Sequence, residues 1–124
     1  MQFSQITADS LNMITGYAPD HVEVNGVRHE SSLIVRPNRL LASWPVTDLD
    51  TLTMDHLGWI REDPPEILLL GTGERQGFPA RPLWRSLRAE PWGIEIMDTA
   101  AACRTYNLIL SEGRTVAAAL IIQT

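Results

Sequence analysis

The chain contains no lysine: all ten of its basic residues are arginine. Schiff-base catalysis and a phosphate-gripping P-loop both need an amine side chain, so neither chemistry is open to it. A single cysteine, Cys103, excludes an internal disulfide framework and any thiolate pair for a metal. The three histidines, His21, His29 and His56, include no i, i+4 pair on a helix and have no cysteine pair to join, so no metal site is expected. Long apolar runs are also missing. The longest, VAAALII at residues 116–122, is strand-sized against the roughly 20 residues of a membrane-spanning helix, and no integral membrane segment is expected. Ten basic residues against fifteen acidic give a net charge of −5, which removes long-range attraction to nucleic acid or anionic lipid as the main business of the chain. The first residues show no basic region followed by an apolar core and cleavage site. A cytoplasmic protein is the expectation.

What remains is a chain of 124 residues, 44% hydrophobic, which fits one domain over residues 1–124 and buries about two thirds of its unfolded surface. Residues 21–46 read as short extended segments broken by turn residues. Asn25-Gly26 is a type I′ hairpin signal, because both central positions of that turn require positive φ, and the region is expected to be an antiparallel meander. Leu33-Ile34-Val35 and Leu40-Leu41-Ala42 are continuously apolar, which predicts strands covered on both faces. Residues 49–60 carry apolar groups at helical spacing, and Pro64-Pro65 ends that helix. The rhythm then becomes strand, helix, strand, helix, strand. Strands are expected over 66–70, 93–97 and 116–122, with a helix over 81–89 that has Pro82 in its first turn. A second helix is capped by Asp98 or Thr99 and runs to about residue 112, with Gly113 at its left-handed exit. A C-terminal β-α-β-α-β alternation of this kind predicts parallel pairing, and the fold class is α/β.

The stretch ILLLGTGERQG, residues 67–77, superficially fits a dinucleotide-binding turn. Its third glycine, Gly77, comes four residues after Gly73 where the fingerprint wants three, and Phe78-Pro79 delays the helix whose amides would face a pyrophosphate. Asp98, at the end of the next strand, imitates the ribose-binding acid but reads as a helix N-cap. No nucleotide cofactor is expected. Two readings of the loop stay open. Gly71 and Gly73 serve close passage of backbone past a neighbour, or Gly71, Thr72, Gly73, Arg75, Asp98, Thr99 and Arg104 form a pocket for an anion or small polar ligand beyond the carboxyl ends of the strands.

Elsewhere, no nucleophile elbow or serine, histidine and acid grouping is visible. Cys103 shares an apolar stripe with residues 106 and 110 and reads as a small buried hydrophobe. Arg81, Arg85 and Arg88 fall at i, i+4 and i+7 on one helix face. That basic stripe is either a solvated face or a docking surface for an acidic partner, with Trp84 or Trp92 as aromatic anchor.

The stretch MDTAAACRTYNLILSEGRTVAAALI at residues 97–121, with ILLLGTG at 67–73 and SSLIV and SWPV in the meander, resembles a small α/β family of Mth938-like fold. That family includes a mitochondrial respiratory complex I assembly factor. The likeness covers nearly the whole chain. It implies three layers around a mixed central sheet and proteins that act by binding other proteins, and it carries no established catalytic residues. A protein partner is therefore expected. The chain departs from the mitochondrial relatives in having no recognisable targeting extension, which fits a bacterial cytoplasmic protein.

Overall fold

The Asn25-Gly26 pair makes the turn that its chemistry predicts. In the computed structural model, which describes residues 11–123, these two residues have φ of 50° and 82°. They join β2 (His21–Val24) to β3 (Val27–His29), with Val24 opposite Val27. The expectation about an N-terminal signal falls on residues 1–10 and lies outside the described residues. Before this hairpin stands β1 (Ile14–Ala18), antiparallel to β2, which has no counterpart among the sequence expectations. Only its first residue is fully buried, and Gly16 and the exposed Tyr17 dilute the alternation that would have marked it.

The antiparallel meander is divided between two sheets. Strands β1, β2 and β3 form a small one, while β4 (Leu33–Arg36) and β5 (Arg39–Leu41) enter a five-stranded sheet of order β5-β4-β8-β6-β7. In that sheet β6 (Ile67–Gly71) runs parallel to both β7 (Gly93–Met97) and β8 (Val116–Leu120), and β4 runs antiparallel to β8. The central sheet is therefore mixed, as the resemblance implied. Strands β4, β6 and β8 are buried throughout, which explains why their sequences show unbroken apolarity instead of alternation. The apolar run at Leu40-Leu41-Ala42 is different, because β5 is an edge strand. Its two leucines are half-buried and Ala42 is exposed.

Residues 49–60 do not make one helix. They break into two 3-10 turns, Leu49–Thr51 and Met54–Leu57, before the single α-turn α1 (Gly58–Arg61). Each turn starts on its own cap: the Asp48 side chain accepts from the Thr51 amide, and the Thr53 amide donates to His56 Nδ1. Leu52 between them is extended and buried. Side chains that satisfy nearby backbone donors compete with helix continuation, so the apolar spacing survives while the helix does not. By contrast α2 (Arg81–Arg88) and α3 (Thr99–Ser111) fall where expected.

Alternate residues of the central strands feed opposite cores. Leu69 packs with Val22, Val35, Cys103 and Tyr106 beneath α3 and the small sheet. Leu68 and Leu70 pack with Leu57, Ile60, Leu87 and Trp92 beneath α2 and the short turns. Three layers result, and each fully buried leucine contributes about 1.5–3 kcal/mol relative to exposure.

Candidate functional site

Parallel pairing of β6 with β7 sets Gly71 opposite Met97, so the loop leaving β6 meets the start of α3. The two elements touch. A Cβ on Gly71 would lie 3.0 Å from both Cα and Oγ1 of Thr99, and one on Gly73, at φ 113°, would lie 2.6 Å from the Gln123 side chain. The packing at Gly71 is tight, and the positive φ at Gly73 favours glycine.

Thr99 is the node of the junction. Its hydroxyl accepts from the Gly73 amide at 2.9 Å and donates to the Ile121 carbonyl at 2.7 Å, and its own amide donates to the Gly73 carbonyl at 2.9 Å. The loop closes on itself in the same manner. The Thr72 amide donates to the Met97 carbonyl. The Thr72 hydroxyl donates to the Arg75 carbonyl and accepts from the Gly77 amide. The Glu74 amide donates to the Gln123 side chain at 3.3 Å. Four loop amides are thus engaged by protein acceptors, whereas a phosphate nest presents its amides unpaired. Asp98 caps α3, accepting from the Ala101 amide at 2.8 Å.

Beside the junction lies a cleft of about 310 Å³, lined by Tyr17, Pro19, Gly73, Glu74, Thr99 and Ile121 among others. Of the pocket residues named from sequence, Gly73 and Thr99 line it, while Gly71, Thr72, Arg75, Asp98 and Arg104 do not. Arg104 reaches its rim through Tyr17, donating to the phenol oxygen at 3.0 Å with its guanidinium 5.9 Å from the ring. Arg75 is exposed and contributes its carbonyl to the loop. The expected convergence of Arg75 and Arg104 on one crevice does not occur. Tyr17 comes from the end of β1 and Pro19 from the β1–β2 turn, where Pro19-Asp20 is a turn signal that marks the turn but not the cleft.

The Thr-Tyr-Asn segment of α3 ties the N-terminal strand down. The Tyr106 hydroxyl donates to the Asn12 carbonyl at 2.7 Å, and the Asn107 amide side chain bonds both the amide and the carbonyl of Ile14. Cys103 is fully buried beside Tyr106, and burial pushes its thiol up to about 12. A thiol held neutral is a poor nucleophile. Among the described residues no group of three His, Cys, Asp or Glu side chains is placed to hold a metal ion.

On the other face, Arg81, Arg85 and Arg88 of α2 are all exposed. Arg88 lies 5.7 Å from the Trp84 ring, and Phe78, 59% exposed, meets Trp84 with ring centroids 4.9 Å apart. Trp92 is not available as an anchor: it is 4% exposed and its indole donates to the Leu87 carbonyl. Phe78 takes that place, being the last exposed residue before buried Pro79.

Comparison with known proteins places this geometry. A 13 kDa major membrane protein of Francisella tularensis is 33% identical over 76 residues, covering 61% of this chain and 62% of that protein. The Bos taurus NADH dehydrogenase [ubiquinone] 1 alpha subcomplex assembly factor 3 is 32% identical over 110 residues, covering 87% of this chain. The chain spans 59% of that relative's length. A crystal structure of a Bordetella parapertussis protein superimposes with a TM-score of 0.83 at 40% identity, covering 92% of this chain and 98% of the other. The fold is the Mth938-like one, and since residues 14–121 match the family described as Protein of unknown function (DUF498/DUF598), the chain belongs to that family.

Proposed function

We propose that this chain is a non-enzymatic protein-interaction or assembly-type protein of the cytoplasm, working in the assembly of a respiratory NADH dehydrogenase. The relatives named as assembly factors support the assembly role. The observation that carries the binding mode is the α2 face, where exposed Arg81, Arg85 and Arg88 share a helix with half-buried Trp84, which exposed Phe78 meets ring to ring, on a chain of net charge −5. A basic patch with an aromatic centre on an acidic protein suits an acidic partner segment that buries one apolar side chain: the aromatic pair supplies affinity and the arginines supply register and association rate.

Affinity purification of the full chain from its native cytoplasm, with Arg81→Glu/Arg85→Glu in parallel, tests this. Loss of one specific partner from the charge-reversed protein, with its melting temperature unchanged, is the expected result. An unchanged set of partners would remove α2 as the docking face.

A second reading keeps the chain as a small-ligand or anion-binding module on the 71–79 loop. The cleft of about 310 Å³ favours it. Glu74 in the lining and the internally bonded loop amides restrict that ligand to a neutral or weakly polar molecule, and a thermal shift across a metabolite panel that Tyr17→Ala abolishes would support it.

A further inference from the structure

The opposite end of the central sheet holds another cavity, of about 320 Å³, between the β4–β5 turn, the end of α3 and the residues leading into β8. Three arginines line it, Arg36, Arg39 and Arg114, together with Asp63. Arg36 is the last residue of β4, with its side chain 8% exposed. Its Nη1 is sealed from solvent and has no hydrogen-bond acceptor among the described residues. The carboxylate nearest to it, Asp63, lies 3.9 Å from Nη2 and is itself 76% exposed, a contact too long and too wet to satisfy a buried cation. Burial accordingly pushes the Arg36 pKa below its ordinary value. A buried charge is normally paired and fully hydrogen-bonded, and among the described residues no acceptor meets this Nη1.

The other two arginines have capacity to spare. Arg39 stacks on Trp59 at 4.4 Å, which occupies the face of its guanidinium and leaves the N–H edge for an acceptor. Arg114 is half-exposed and 4.0 Å from Glu66. The opposing charges are Asp63, Glu66 and the negative end of α3, worth about half a unit charge. These leave only a weakly positive field, so selection rests on the planar donor fork more than on long-range attraction.

We infer that this cavity binds the oxyanion group, carboxylate or phosphate, of a small molecule, with Arg36 as its anchor and Arg39 and Arg114 on its outer oxygens. Asp63 moves aside at little cost because it is exposed. The volume falls at the lower end of small-molecule sites, about 300–1,000 Å³. The site is separate from both the α2 face and the cleft at Thr99.

Calorimetry and thermal melts of the full chain at fixed ionic strength, with inorganic phosphate in one arm and succinate in the other, test it beside Arg36→Met and Arg114→Gln. At least one anion is expected to bind and to raise the melting temperature. Stronger binding of phosphate assigns a phosphate ester, and stronger binding of succinate assigns a carboxylate. Arg36→Met is expected to melt no lower than the parent without anion, because an unpaired buried charge is removed, and to bind about tenfold more weakly or worse. Arg114→Gln is expected to weaken binding by less; it sits at a half-exposed position and carries the comparison should Arg36→Met not fold. No heat and no shift with either anion, or binding that the variants leave intact, overturns the inference.

Discussion

The two ends of the central sheet invert their sequence signals. At the carboxyl ends of β6 and β7, the Gly71-Thr72-Gly73 turn looks like a ligand motif, yet its polar groups are spent on Thr99, Arg75, Met97 and Gln123. At the other end no motif is visible, yet a buried guanidinium nitrogen, Arg36 Nη1, has no acceptor among the described residues. Glycines next to a strand therefore report close approach of backbone, and only a polar-group census distinguishes an approach to a ligand from an approach to the protein itself. The junction at Thr99 is a structural lock, and the Arg36 end is where unspent donors accumulate.

Substitutions sharpen this contrast. The largest effect is expected from Thr99→Val, which keeps the volume but strands the Gly73 amide and the Ile121 carbonyl; at roughly 1–3 kcal/mol per unsatisfied buried group, chemical denaturation should register a loss of about 2–6 kcal/mol. Gly71→Ala follows, since the added methyl meets Thr99 backbone at 3.0 Å, with an expected cost of about 1–3 kcal/mol for overpacking. A free loop would absorb either change, and near-neutral values would contradict the lock. Alkaline pH supplies the third. The raised Cys103 thiol, first through burial, leaves the folded state protonated while the unfolded thiol ionises, so stability holds below the ordinary value of 9.0 and falls as pH rises toward about 12. The slope within that window is about 1.4 kcal/mol per pH unit, and Cys103→Ala should remove that component from the pH dependence of the melt. The smallest is Asp98→Ala, about 1 kcal/mol from a lost N-cap; a change in ligand affinity with no stability loss would instead return Asp98 to the site.

The hairpin at Asn25-Gly26, the α3 cap and exit, and the buried strands β4, β6 and β8 were legible because local chemistry and burial agree there. The broken helix at residues 49–60 was not, because its core residues keep helical spacing while Asp48 and Thr53 reset the backbone. The division of the meander was hidden too, since which sheet a strand joins depends on partners more than 80 residues away, such as Leu33 opposite Leu120. Among site residues, Gly73 and Thr99 were readable at a strand end. Tyr17 and Pro19 were not, because β1 itself gave too weak an alternation. Arg36 could not have been found, because an arginine after three apolar residues reads as the exposed end of a strand.

The contrast between the two ends is tested most directly by the backbone amide spectrum of the full chain, recorded with and without inorganic phosphate at fixed ionic strength. The account predicts movement at Gly113, Arg114 and Thr115, and stillness at Thr72, Gly73, Glu74 and Gly77. Movement of the loop amides with a silent Arg114 end would contradict it.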